Sequence, residues 1–323
     1  MHLDPTPRAK HRSHLVRQAT AKCLQITRHD ICDIFEPLAR HAQLTTRQLV
    51  AFGSRHPITT KARLGELWHL TADQPCHWLH RLNEELPLAN HLFIDDMHRL
   101  GDQALALLQS SSIVPAEDWV LNSRTGGRSL APSRLIRLAH DHMASDIMID
   151  IEIGARKAGL PFRNHLHLVA AAPAQTHVMK KPLRIPVRVG GQDTFVEPDG
   201  MFSIAGRWYA LEADKGTESI SSVVIPKILA YREIVADHVV DDHLGIDNLR
   251  VLFATTSTRR MKNVMRELQR IAANNRSAMF AFRAEDSFGA FLKTPMPSGR
   301  LVHAPWARVG CNDLVLAEAE RGT

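Results

Sequence analysis

Apolar residues recur at helical spacing through the N-terminal third of the chain. Ile31, Ile34, Phe35 and Leu38 mark one helix face. In LTTRQLVAF, Thr45 or Thr46 can cap a short helix whose stripe is Leu49, Val50 and Phe52. Pro57 then interrupts the chain. Thr59 or Thr60 can cap a second helix carrying Lys61, Arg63, Leu64, Leu67 and Trp68. Two short helices across a Gly/Pro-containing turn make a helix-turn-helix outline. Lys61 and Arg63 sit near the start of its second helix, the end that such motifs present to DNA. The stretch from His77 to Leu108 reads as a wing followed by a closing helix from Gly101. An ordinary helical bundle with a charged outer face fits the same pattern.

Residues 115–132 break this periodicity with Gly126-Gly127, two prolines and polar residues, so they read as a linker. Beyond them the pattern mixes helix and strand. A helix runs from Ser133 to about Ala158. HLHLVAAA, His165 to Ala172, reads as a first strand, with His165 and His167 on one face. Phe195–Ile204 and Arg207–Ala213 read as a hairpin about Ala205-Gly206. A helix containing Pro226, a buried strand at Leu249–Ser257, a basic amphipathic helix and a last strand follow. This order predicts a mixed sheet flanked by helices.

Charge adds a question to the hairpin. The 323-residue chain is basic, with a formal net charge of +6. Yet Glu197, Asp199, Glu212 and Asp214 gather on an apolar hairpin. With the turn at Ala205-Gly206, partners across the pair have numbers summing to 411. Asp199 then faces Glu212, and Glu197 faces Asp214, all on one side. Opposed carboxylates about 5 Å apart repel one another unless a cation lies between them. Mg²⁺ or Mn²⁺, which take oxygen ligands, would resolve the repulsion. Simple hydration of a solvent-facing hairpin is the alternative.

The remaining composition narrows the class. The basic balance points to nucleic acid as partner, with an anionic membrane surface second. Four scattered cysteines without CxxC spacing fit a reducing cytoplasm rather than a disulfide framework. No apolar run approaches the ~18–20 residues of a membrane span. The basic N-terminus lacks a signal-peptide core.

Pro198-Asp199 and Glu212-Ala213-Asp214, set in this element order, resemble the PD-(D/E)XK nuclease core. More closely, the chain resembles the replication-relaxation family of plasmids and mobile elements. The matching residues are Glu212, Asp214, Gly216 and Thr217, then Lys227 and Tyr231 on the next helix. The HDHMASD helix, His140 to Asp146, and VLFATTSTRR are also similar. The resemblance implies an α+β chain with an N-terminal winged helix-turn-helix and a PD-(D/E)XK-like sheet domain. The expected organisation is a basic arm (1–20), a winged-helix domain (21–114), a linker (115–132), a nuclease-like domain (133–300) and a C-terminal tail (301–323).

It further implies Asp199, Glu212, Asp214 and Lys227 as catalytic residues. Asp199 and Glu212 would hold Mg²⁺ or Mn²⁺, with His140, Asp146 and Tyr231 behind them. Lys61, Arg63, Arg259 and Arg260 would meet double-stranded DNA. One departure stands out. The nuclease pattern wants lysine two residues after the glutamate, where this chain has Asp214. Lys215 points to the opposite face by alternation, so Lys227 on the following helix is the candidate, with the choice between the two lysines left open. The expected function is DNA binding with a candidate Mg²⁺-dependent endonuclease activity. The alternative is a non-enzymatic replication, copy-control or transcription regulator on a degenerate nuclease-like platform. A homodimer is left open.

Overall fold

The structure, a computed structural model, describes residues 17, 19–20, 24–41, 43–71, 77–81, 96–114, 132–288, 290 and 295–318. Residues 1–16 and 18 of the expected basic arm, residues 82–95 of the stretch expected to supply the wing, Cys76 and residues 115–131 of the expected linker lie outside them. The described residues divide into two compact units, one up to Val114 and one from Pro132.

In the N-terminal unit, strand β1 (Ala19–Thr20) pairs in parallel with β3 (Leu70–Thr71). Helix α1 is the continuous run Arg28–Asp30, Ile31–Phe35 and Glu36–His41, its middle turn wound as a π-helix. Thr27 and Asp30 start it with a reciprocal capping box. Strand β2 (Leu44–Thr45) leads into α2 (Thr46–Phe52), where Thr45 and Gln48 repeat that device. Helix α3 (Pro57–Trp68) opens on Pro57, whose missing N–H costs nothing in a first turn. Strands β4 (Leu79–Arg81) and β5 (Met97–Leu100) complete an antiparallel sheet in the order β2-β5-β4. Helix α4 (Asp102–Ser110) closes the unit. Ile34, Phe35, Leu38, Leu49, Leu64, Leu67 and Trp68 are all buried.

The C-terminal unit is α+β, with a seven-stranded mixed sheet flanked by helices. Helix α5 (Pro132–Lys157) is followed by β6 (Phe162–Asn164), α6 (His165–Ala171) and α7 (Ala174–His177). Next come β7 (Ile185–Val189), β8 (Gln192–Val196), β9 (Gly200–Ile204) and β10 (Arg207–Asp214). Helices α8 (Ile225–Ala236) and α9 (Val239–Leu244), strand β11 (Leu249–Thr255) and helix α10 (Thr258–Ile271) follow. Strands β12 (Ser277–Ala284), β13 (Pro305–Val309) and β14 (Cys311–Val315) come next. The sheet order is β14-β13-β12-β11-β10-β9-β6, with β10, β11 and β12 parallel. One face packs Ile228, Tyr231 and Ile234 of α8 with Val264 and Leu268 of α10. The other packs Met143, Ile147 and Ile151 of α5 with Leu301, Val302 and Trp306. Asp150 fixes α5 to that C-terminal stretch by accepting from the backbone N–H groups of Ser298, Gly299 and Leu301.

Three expectations are corrected here. His165–Ala171 is a helix, because the Asn164 side chain accepts from the Leu166 and His167 N–H groups and caps it. Phe195–Ile204 is not one strand. β8 pairs with β7 as a separate hairpin, and the chain breaks at Glu197–Asp199 before β9. The expected tail at 301–323 contains β13 and β14, and buries Trp306 and Leu314 in the large domain. Among the described residues no helix is long and apolar enough to cross a membrane.

Candidate carboxylate–lysine site

The β9–β10 hairpin has the register summing to 411, from Arg207 opposite Ile204 to Leu211 opposite Gly200. A two-residue turn fixes it, since Ala205 and Gly206 both have positive φ, of 50° and 81°. Such turns match the right-handed twist of the flanking strands. Asp199 lies one residue before β9, and its N–H donates to the Leu211 carbonyl at 2.9 Å. One carboxylate oxygen, Oδ2, accepts from the Ala213 N–H at 2.8 Å, which draws the side chain across to β10. His140 of α5 reaches the same oxygen, with Nε2 at 3.3 Å.

Glu212 points from β10 into the face covered by α8 and is 2% exposed. Both its oxygens are taken. Lys227 Nζ donates to Oε2 at 2.7 Å, and the Tyr231 hydroxyl donates to Oε1 at 2.5 Å. Lys227 and Tyr231 are four apart on α8, so one helix face delivers both. The chain enters α8 through a wider turn, Ile220–Val224, started by the Ser219 hydroxyl at the Ser222 N–H.

The four groups form an alternating set of charges. Burial pushes the Glu212 carboxyl up, to about 7, and nearby Asp199 adds to the rise against the pull of Lys227. Burial of Asp199 works the same way, but the His140 hydrogen bond and charge hold its carboxyl below the ordinary range. Burial opposes charge on His140, yet Asp141 and Asp199 together raise it to about 10. Glu212 raises Lys227 above its ordinary value despite burial. Above about pH 7 the site is therefore a carboxylate pair balanced by an imidazolium and an ammonium.

Other expected site residues lie elsewhere. Asp214 is held by Arg260 of α10 at 2.5 Å, and Arg260 also donates to the Glu218 carbonyl at 2.7 Å. Glu197 pairs with Lys181 at 3.1 Å instead of facing Asp214, because the chain leaves the strand there. Asp146 is buried beside His142, 3.7 Å away, on the α5 side of the sheet. Burial lowers the proton affinity of Lys215, and the charge acting against that is Asp146. Arg259 is exposed on α10, and Lys61 is exposed on α3. Arg63 is committed inward. It donates to both oxygens of the buried Asp30, at 3.0 and 2.8 Å, and to the Gln25 carbonyl at 2.6 Å.

Among the described residues, no group of three or more His, Cys, Asp or Glu side chains converges as a metal cage. The Asp199–Glu212 carboxylate pair, without thiolate ligands, is the wrong donor set for structural zinc. It fits Mg²⁺ or Mn²⁺, which are commonly held by one or two carboxylates with water and substrate phosphate oxygens completing the shell.

The replication-relaxation family model matches residues 35–249 of the chain, from α1 to the first residue of β11. No curated protein and no solved structure matches.

Proposed function

The chain belongs to the replication-relaxation family, and from that premise we propose that it is a DNA-binding replication protein of plasmids or mobile elements that hydrolyses DNA phosphodiesters. The observation that carries the chemistry is the Lys227–Glu212 contact at 2.7 Å, with Asp199 on the adjoining segment. Two acids and a lysine are the groups a PD-(D/E)XK-like centre needs. Here the lysine comes from the helix after the hairpin rather than from the strand itself. In the N-terminal unit, the order α1, β2, α2, α3, β4, β5 supports a winged helix. Lys61, exposed in the second turn of α3, is suited to phosphate contact.

Asp199 and Glu212 would hold Mg²⁺ or Mn²⁺. The bound cation would supply charge stabilisation at the scissile phosphate and a more acidic water. The chain's own groups do the rest. Tyr231 fixes one Glu212 oxygen, and His140 with the Ala213 N–H fixes Asp199. Lys227 exchanges its resting partner Glu212 for a non-bridging phosphate oxygen and stabilises the charge that develops there.

Incubating the full chain with supercoiled plasmid in Mg²⁺, Mn²⁺ or chelator tests this reading. Nicked or linear product should require the metal. Lys227→Ala should lower the rate by about 10²–10³-fold, while Lys215→Ala should be mild. A dominant effect of Lys215→Ala would move the chemistry to the opposite face. The full occupancy of both Glu212 oxygens favours a second reading, a closed centre that only shapes a DNA-binding platform. Absence of product under every metal condition selects that reading.

A further inference from the structure

The N-terminal end of β10 carries a second cluster, remote from the carboxylates. Tyr209 and Leu211 lie on the face packed by α5, and Tyr209 is 0% exposed. Tyr209 is the register partner of Arg250 on the parallel strand β11. Arg207 precedes Tyr209 by two residues and so shares its face. Arg308 of β13 approaches closely enough to act electrostatically on both Tyr209 and Arg250. Arg207 and Arg250 thus flank one buried phenol, and Arg308 adds its charge.

Their hydrogen bonding is incomplete. The Tyr209 hydroxyl and Arg207 Nε are shielded from water and have no well-formed hydrogen bond. Arg250 reaches the hydroxyl with its charge and with a hydrogen bond too distorted to satisfy it. Arg308 commits only Nε, to the Asn312 carbonyl at 2.6 Å. No ion pair among the described residues engages Arg207, Arg250 or Arg308. Burial, then Arg207, lowers the proton affinity of Arg250. Each arginine could run its head to water, but that leaves the buried hydroxyl and the buried Nε without partners, which is costly.

We propose that Arg207, Arg250, Arg308 and Tyr209 form a binding site for a phosphate-type oxyanion. Planar guanidinium forks and a phenolic donor suit its tetrahedral oxygens. The site is not the scissile-phosphate position. Arg207 and Asp214 begin and end β10, a separation of about 23 Å at strand rise, and Glu212 faces the other side of the sheet. The oxyanion can come from a phosphate free in solution or from a DNA backbone.

Thermal unfolding of the full chain distinguishes these sources. Wild type, Arg250→Gln and Tyr209→Phe are each melted with inorganic phosphate and, separately, with a short DNA duplex. Phosphate should raise the wild-type Tm by a few degrees, as a ligand of the native state does. Both substitutions should weaken phosphate affinity, Arg250→Gln at least tenfold. Comparison across variants cancels the general effect of phosphate on solvent. Tyr209→Phe keeps the ring stacked on Phe202, with centroids 5.3 Å apart. It also removes a buried hydroxyl without a partner, so without ligand it should melt at or above the wild-type temperature. A duplex-only response that Arg250→Gln abolishes assigns the oxyanion to the DNA backbone. Identical responses in all three proteins, or no response to either probe, overturn the proposal. So does a clear loss of ligand-free stability in Tyr209→Phe, which also decides the matter if Arg250→Gln does not fold.

Discussion

Glu212 is tolerable as a buried charge because Lys227 and Tyr231 take both its oxygens. Lys227→Ala leaves that carboxylate with a neutral donor and with Asp199 nearby. The variant should lose about 3–5 kcal/mol where Glu212 must stay ionised. The loss should shrink as pH falls and Glu212 takes up a proton. Urea unfolding at pH 9 and pH 6 reads this difference, and an equal loss at both values removes the charge explanation. His140 has a folded pKa of about 10, above its ordinary 6.5. Its stabilisation is fully present below 6.5 and disappears as pH rises toward 10. Asp199, held below its ordinary 3.8, acts in the opposite sense and loses its contribution as pH falls through the acid range. His140→Gln should therefore flatten the decline in stability between pH 6.5 and 10. A wild-type curve already flat over that window contradicts the ion pair. The hairpin register that carries Asp199 toward Glu212 was legible because strand alternation and a two-residue turn leave one register. The inward role of Arg63 was not. Its partner Asp30 lies 33 positions away, and helix periodicity says nothing about contacts over that separation.

At the scale of elements, the misread stretches share a physical cause. A short apolar run such as His165–Ala171 suits a buried helix or a buried strand equally. The deciding signal was Asn164, a strong helix cap standing immediately before it. The β7–β8 hairpin also announced itself. Gly190 and Gly191 supply the two positive φ angles, 56° and 81°, that a tight turn requires. Arg260 then shows how separate elements are tied together. It joins the end of β10 to the first turn of α10 through Asp214, whose other oxygen accepts from the Gly216 N–H at 2.8 Å. Both side chains are mostly buried, at 13% and 10% exposure. Arg260→Ala should cost about 1.5–3 kcal/mol, the range for hydrogen bonds to charged groups. Asp214→Asn should cost less once Arg260 is gone, because the two losses overlap in a double-mutant cycle. Strict additivity in denaturant unfolding would mean the contact does not couple strand to helix.

Across the whole molecule, basic residues divide into those that hold the fold and those left for a partner, and composition alone cannot separate them. Lys61 and Arg63 make the contrast sharpest, since both lie on α3 and both looked like DNA contacts. Lys61 is exposed. Arg63 is bound to Asp30, which is 0% exposed and also receives Arg55 at 3.1 Å. Burial opposes ionisation of Asp30, but Arg63 and Thr27 together hold its carboxyl below the ordinary range. Removing either charged partner strands the other in a protected site. Lys61→Ala should therefore leave the melting temperature unchanged and weaken duplex binding. The slope of log K against log salt should fall by about 1, the release of roughly one counterion. Arg63→Ala should do the reverse, lowering stability of the N-terminal unit while changing the salt slope little at temperatures where the unit remains folded. Full-length protein titrated with duplex at several salt concentrations, beside thermal melts of each variant, separates the two effects. Loss of salt dependence in Arg63→Ala without loss of stability would return that residue to the DNA interface and make its contact with Asp30 secondary.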